Sequence, residues 1–210
     1  MSLRDRRVQY ETAGLDRDDL HVDPMLQWQR WYDEAESAGV TEPNAMTLST
    51  IGADGIPDSR VVLARGADER GFVFYTNLES VKSQQLVSGG ASAVFAWLDL
   101  HRQVRVRGSV ERVSDAESDG YFASRPRGSQ IGAWASPQSQ PIADRAVLEQ
   151  LVEETTRRFE GVDVPRPPHW GGFLLRPTAF EFWQGRPSRL HDRFRYTLAN
   201  ATWGVERLAP

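Results

Sequence analysis

The chain has 210 residues, 40% of them hydrophobic and 26% charged, which suits one compact domain with a real core and excludes a disordered polymer. A formal charge of -4 supplies no general attraction to nucleic acid or anionic membranes, so any phosphate ligand has to be held by a local cluster of cations. Cysteine is absent, which removes disulfides, thiolate metal sites and cysteine nucleophiles together. With no apolar run of membrane-spanning length and no secretory-type stretch in MSLRDRRVQYE, a cytoplasmic enzyme is expected.

Residues 1–22 are polar and charge-rich without clear periodicity and read as a mobile N-terminal arm, with a single domain expected over residues 23–210. Asp23 and Pro24 supply an N-cap and a first-turn proline. Leu26, Trp31 and Ala35 recur on or near one helical face, and Gly39 supplies a stop, so a helix is expected between them. Trp28 and Trp31 on that helix are expected to pack in the core or an interface. From Ala45 the pattern changes to AMTLSTI, SRVVLAR and GFVFYT, separated by ADG and GADERG, which predicts an antiparallel meander. A short helix from about Ser80 to Ser88, stopped by Gly89 and Gly90, precedes strands in ASAVFAWL and QVRVRGSVERV. Ser114 caps a helix running through Phe122, and Leu148, Leu151 and Val152 mark another from about Ala143 to Phe159. GGFLLRPTAFEFWQG and FRYTLANATWGVERL return to strands. Many short strands with inserted helices predict a mainly β, antiparallel α+β fold, a closed or split barrel rather than a parallel sheet.

His21, His101, His169 and His191 are scattered without metal-ligand spacing, so no metal is expected. There is no GxGxxG and no P-loop, and His191 beside Asp192 cannot form a hydrolase relay. The run SRPRGSQ places Arg125, Arg127 and Ser129 where a helix is expected to end and a loop to begin. Guanidinium forks with a neighbouring hydroxyl suit a phosphate monoester, while a solvated basic turn explains the same residues, and both readings stand on the residues alone. Arg102, Arg105 and Arg107 are expected along one strand face as solvated or subunit-contact residues. Trp183, in EFWQG just before RLHDR, sets an aromatic surface beside cations, as a planar anionic cofactor requires; packing against the barrel is the other reading.

Taken in order, RRVQY, RVVLAR, FYTN, RQVRVRG, YFASRPRGSQIGAW, SPQSQPI, WGGF, EFWQG, RLHDRF and RLAP resemble the pyridoxine 5'-phosphate oxidase family over nearly the whole chain. The resemblance implies an FMN-binding split β-barrel, assembled as a homodimer with flavin at the interface. It implies oxidation of pyridoxine or pyridoxamine 5'-phosphate to pyridoxal 5'-phosphate, with hydride passing to flavin N5 and O2 returning as H2O2. Carried over by motif, FMN falls to Arg60, Val61, Val62, Leu63, Ala64, Arg65, Tyr75, Thr76, Lys82, Gln103, Gln138, Ser139, Trp183 and Arg193, with Arg60 and Lys82 on its phosphate. Substrate phosphate falls to Arg65, Tyr121, Arg125 and Ser129. Arg189 and His191 are the implied catalytic pair over the pyridine ring, and Arg7 and Tyr10 of the arm help close the site.

Three positions depart from the family pattern: Arg65 stands where lysine is usual, Val81 where arginine is usual, and Glu42 where aspartate is usual. Because one fold hosts several chemistries, a phenazine-type split-barrel oxidase and a non-catalytic flavin or pyridoxal phosphate carrier are the alternatives.

Overall fold

The computed structural model describes Tyr10 and residues 12–210. Helix α1 (Pro24–Ser37) starts as expected, with the Asp23 side chain accepting from the Met25 N–H. It ends in a Schellman pair, Gly39 N to Glu36 O and Val40 N to Ala35 O, both 3.0 Å, which requires the left-handed Gly39 (φ +77°). Trp28, Trp31 and Ala35 of α1 are buried while Leu26 points to solvent; five residues before Trp31, it falls about 140° round the helix from it. Trp28 packs on Phe72 and Phe95, and Trp31 on Phe182, so the helix closes the aromatic core inside the sheet.

That sheet is antiparallel throughout and, among the described residues, nine-stranded. The strands are β1 (Ala45–Ile51), β2 (Pro57–Leu63), β3 (Gly66–Asp68), β4 (Gly71–Asn77), β5 (Gly90–Trp97), β6 (Arg102–Arg112), β7 (Trp170–Gln184), β8 (Asp192–Ala199) and β9 (Thr202–Leu208). Their order is β2-β1-β5-β6-β7-β4-β3, with β8 joined to β7 and β9 to β8. The expected GADERG turn is partly strand: Ala67 pairs with Phe72, leaving Glu69 and Arg70 as the turn. Asn200 and Ala201, both at positive φ, divide the last expected run into β8 and β9.

Strand β7 changes partner midway. It pairs with β4 from Trp170 to Leu175 and with β8 from Ala179 to Gln184, with β6 on its other side from Phe173 onward. The change falls at Pro177, which has no N–H for the ladder and pairs with Gly108 beside a register shift. A Cβ on Gly108 would sit 1.9 Å from the Arg176 carbonyl oxygen, and one on Gly71 2.1 Å from that of Leu175. Glycine at both positions lets three backbones meet where the barrel splits.

Helices α2 (Val81–Leu86), α3 (Asp115–Ser124), α4 (Arg127–Ala135) and α5 (Arg145–Arg158) are inserted between strands. α4 corrects the sequence reading, which ended a helix at SRPRGSQ and continued as loop: Pro126 is the N-cap residue of a new helix. The inserted helices bury a second, smaller cluster of Phe122, Ile131, Phe159, Val164 and Trp170. No helix among the described residues is long and apolar enough to cross a membrane. The split-point geometry predicts that Gly108→Ala lowers unfolding free energy by about 1–3 kcal/mol through overpacking; a urea midpoint equal to that of the parent protein would refute it.

Candidate active site

A cavity of about 880 Å³ opens between β2, β4 and helices α2 to α4. It gathers eleven of the expected site residues: Val61, Val62, Leu63, Arg65, Tyr75, Thr76, Lys82, Tyr121, Arg125, Ser129 and Gln138. Arg65, Lys82 and Arg125 bring three cations, and no carboxylate among the described residues lines the cavity. One wall is a stack. Tyr75 lies 4.1 Å from Tyr121 and 5.4 Å from Trp170, nearly parallel to both, and the Arg125 guanidinium lies over Trp170 at 4.8 Å. Gly172 makes room for it, since a Cβ there would be 2.7 Å from the Tyr75 ring. Trp170 is the wall residue that sequence reasoning did not single out, although WGGF was its signal.

Arg125 Nη1 is buried and has no hydrogen-bond partner, an expensive state for a cation unless a ligand answers it. Burial chiefly lowers the Arg125 pKa, with Tyr121 opposing and Arg65 adding to the shift. Lys82 Nζ donates to Gln138 Oε1 at 2.9 Å, Thr76 Oγ1 at 3.1 Å and Ser80 Oγ at 3.3 Å. Burial first, and then the charge of Arg60, hold Lys82 below the usual lysine pKa. Arg60 itself reaches Thr50, Gln85 and Asp58 and does not line the cavity. Ala64 is buried, with its carbonyl accepting from Asn44. Ser139 is exposed beyond Gln138.

The remaining expected residues form a second group at the far end of β7. Gln103, Trp183 and Arg193 are cross-strand partners in one row over β6, β7 and β8. Arg193 grips buried Glu181 through Nε and Nη2 at 3.0 and 2.9 Å, and Arg105 holds the other Glu181 oxygen at 3.0 Å. His191 lies 4.5 Å from the Trp183 ring, and Tyr10 stacks 4.1 Å from His101 and 5.8 Å from His191. Gly185 admits Tyr10, whose ring would be 2.6 Å from a Cβ there. Arg189 is exposed and left-handed (φ 64°), as is Ser188 before it (φ 58°), a costly backbone for side-chain-bearing residues. Arg7 lies outside the described residues.

The stretch leading from Tyr10 is tied to the C-terminal strands. Leu15 N donates to Asp192 Oδ2 at 3.1 Å, Arg186 Nη1 to Thr12 O at 3.0 Å, Arg207 Nη2 to Asp16 Oδ1 at 2.8 Å, and Tyr196 OH to His21 O at 2.7 Å. The Arg186 backbone N–H donates to His191 Nδ1 at 3.0 Å, so the neutral ring carries its proton on Nε2. Two arginine readings change. Arg127 turns away from the cavity to the Phe159 and Val162 carbonyls. Arg102 leaves the Arg105 and Arg107 face: it pairs with Glu34 and lies over Trp31, because an odd residue separation in a strand reverses the face.

The split barrel and its cationic, ring-lined cleft define the class, the oxidoreductases built on this fold. Within it, the chain belongs to the pyridoxine/pyridoxamine 5'-phosphate oxidase family. The pattern for pyridoxamine 5'-phosphate oxidase matches residues 32–158, and that for the pyridoxine 5'-phosphate oxidase C-terminal dimerisation region matches residues 170–210. The chain is 54% identical to the pyridoxine/pyridoxamine 5'-phosphate oxidase of Cupriavidus necator over 99% of both chains. It is 52% identical to that of Synechocystis over 100% of this chain and 99% of the relative. PhzG of Burkholderia lata, solved with tetrahydrophenazine-1-carboxylic acid, superposes with a TM-score of 0.89 at 31% identity, covering 97% of this chain and all of that one. A pyridoxamine 5'-phosphate oxidase-related, FMN-binding protein of Nostoc punctiforme shares the fold at a TM-score of 0.71 and 17% identity, over 91% of this chain and all of that one.

Burial, and next the Arg189 charge, lower the His191 pKa, with Asp192 opposing. The unfolded chain therefore takes up this proton first: the stabilising share of neutral His191 is full above about pH 6.5 and is lost as pH falls through the depressed folded value. An NMR titration is expected to place the His191 midpoint below about 6.5, moving upward in Arg189→Ala; a midpoint at or above the unfolded value would overturn the assignment.

Proposed function

We propose that the chain binds FMN and oxidises pyridoxine 5'-phosphate and pyridoxamine 5'-phosphate to pyridoxal 5'-phosphate in the cytoplasm, with O2 as final acceptor and H2O2 as co-product; from the amine substrate, water supplies the aldehyde oxygen and the nitrogen leaves as ammonia. The observation that carries the reading is the cavity holding Arg65, Lys82 and Arg125 with no carboxylate among the described residues, together with the partnerless Arg125 Nη1. Such a donor set fits an anionic phosphate ester, and the neighbouring rings fit a planar group. FMN, when bound, supplies the acceptor for the hydride that leaves substrate C4' and hands the electrons on to O2.

The residues take their roles from this reading. Lys82 and Arg60 hold the flavin phosphate, and Val61 to Ala64, Arg65, Tyr75, Thr76, Gln138 and Ser139 frame the flavin. Arg65, Tyr121, Arg125 and Ser129 hold the substrate phosphate. Arg189 and neutral His191 orient the pyridine ring and balance its changing charge, while Arg7 and Tyr10 close over it.

Gln103, Trp183, Arg189, His191 and Arg193 complete the cleft of a second copy. Trp170 and Trp183 lie thirteen residues apart on one strand, up to about 40 Å at roughly 3.3 Å per residue, too far for one chain to wrap both around the same ligand. All of this group except Gln103 falls within the matched dimerisation region, which supports a homodimer with flavin at its interface. A phenazine-type substrate is the second reading, favoured by the PhzG likeness.

Mixing the flavin-loaded protein anaerobically with pyridoxine 5'-phosphate is expected to bleach its yellow absorbance, with O2 restoring colour and releasing peroxide. Persistent colour with substrate bound would sink the oxidase. Arg125→Ala is expected to raise the KM of phosphorylated substrate about 10- to 100-fold, at about 1.4 kcal/mol per decade, and an unchanged KM favours the phenazine-type reading. Val81 removes a cation that the family pattern sets beside Lys82. Val81→Arg is expected to tighten FMN about 10- to 150-fold, the worth of one charge-assisted bond of ~1.5–3 kcal/mol. Fluorescence titration of the apoprotein measures this, and equal affinities would count against flavin phosphate at this position.

A further inference from the structure

Outside the cavity, helix α3 is held by two arginines from other elements. Arg70, in the β3–β4 turn, reaches both Glu117 oxygens at 3.3 Å. Arg166, in the segment before β7, uses all three guanidinium nitrogens. Its Nε donates to Asp119 Oδ1 at 2.5 Å, Nη2 to Asp115 Oδ1 at 2.9 Å, and Nη1 to the Trp170 carbonyl oxygen at 2.7 Å. Its side chain is 12% exposed, against 80% and 61% for the two carboxylates, so the guanidinium is the buried centre of the contact. Asp115 and Asp119 stand one turn apart on one face of α3, as a fork across them needs.

What Arg166 joins is the two sides of the aromatic wall. Its carboxylate partners belong to the helix that carries Tyr121 and ends at Arg125, and its carbonyl partner is the backbone of Trp170, which stacks on Tyr121 and lies under the Arg125 guanidinium. Ser118 Oγ, accepting from Gly172 N at 3.2 Å, ties the same helix to the same strand but carries no charge and does not reach Trp170.

We propose that Arg166 is a positioning residue for substrate phosphate: by tying α3 to the Trp170 backbone it fixes the Tyr121–Trp170–Arg125 stack and thereby the direction of the partnerless Arg125 Nη1. This rests on the reading of the cavity as a phosphate-ester site. The effect belongs to binding, because Arg166 is outside the cavity lining and works through Arg125. Lysine keeps the charge but not the fork, so it retains part of the function.

The test uses the flavin-loaded protein and the variants Arg166→Gln, Arg166→Lys and Asp119→Asn, with Glu111→Gln, from the exposed Arg176 pair, as control. Arg166→Gln is expected to raise the KM for pyridoxine 5'-phosphate about 10-fold with kcat within about two-fold and FMN content unchanged. The Kd for inorganic phosphate, read from tryptophan fluorescence, weakens by a similar factor, and the near-UV circular dichroism of the stacked rings diminishes. Arg166→Lys falls between, Asp119→Asn shifts KM and phosphate Kd about 3-fold, and the control matches the parent. A lower melting temperature with KM, phosphate Kd and near-UV signal all unchanged would overturn the proposal, as would a fall in kcat at constant KM. Should Arg166→Gln fail to fold, Asp119→Asn, at an exposed carboxylate, decides it by the same criteria. Should the parent protein not oxidise pyridoxine 5'-phosphate, the oxidase reading fails while the phosphate and circular dichroism measurements still decide the role of Arg166.

Discussion

The backbone ladder of β7 is the constraint on which the rest depends. One strand satisfies its hydrogen bonds with β6 along most of its length, with β4 in its first half and with β8 in its second. Proline at 177 opposite glycine at 108 marks where that exchange becomes possible, because a residue without an N–H faces one without a Cβ. The strand therefore carries Trp170 into the cavity at one end and Trp183 into the Tyr10, His101 and His191 cluster at the other. A shorter or uninterrupted strand would present one of these surfaces and lose the other.

Charge placement sets the character of the cavity. Many arginines among the described residues meet carboxylates: Arg70 has Asp68 and Glu117, Arg166 has Asp115 and Asp119, Arg193 has Glu181, and Arg207 has Asp16 and Asp192. Arg65, Lys82 and Arg125 have no carboxylate partner among the described residues. In a chain of net negative charge, three such cations gathered in one cleft make a local positive patch. Two of the paired arginines, Arg70 and Arg166, hold α3, the helix that carries Tyr121 and ends at Arg125.

The second cluster has a different physics. Its histidine is held neutral by burial and by the charge of Arg189, its arginine at 193 is committed to Glu181, and its tyrosine arrives on a segment pinned by Asp192, Arg186 and Arg207. These contacts shape a surface and set a tautomer rather than enclose a ligand. Trp183, Arg189, His191 and Arg193 of this cluster fall within the matched dimerisation region.

Local rules carried much of this. Asp23, Pro24 and Gly39 delimit α1 by satisfying orphan backbone groups; β-branched alternation marks the strands, and the ordered motifs from RVVLAR to RLAP reveal the family, because such signals reside in a few consecutive residues. Other features depend on partners far away in sequence. Leu26 is exposed because α1 turns Trp28 and Trp31 to the core. Arg102 and Arg127 are claimed by Glu34 and by carbonyls near residue 160. SRPRGSQ begins a helix because Pro126 acts at its N-cap position instead of as a breaker. The sequence by itself determined most of the elements, the family and most candidate residues. Only the tertiary structure decided which cations stay unpaired and that Trp170 joins their wall, because pairing and stacking depend on through-space distances set by the sheet.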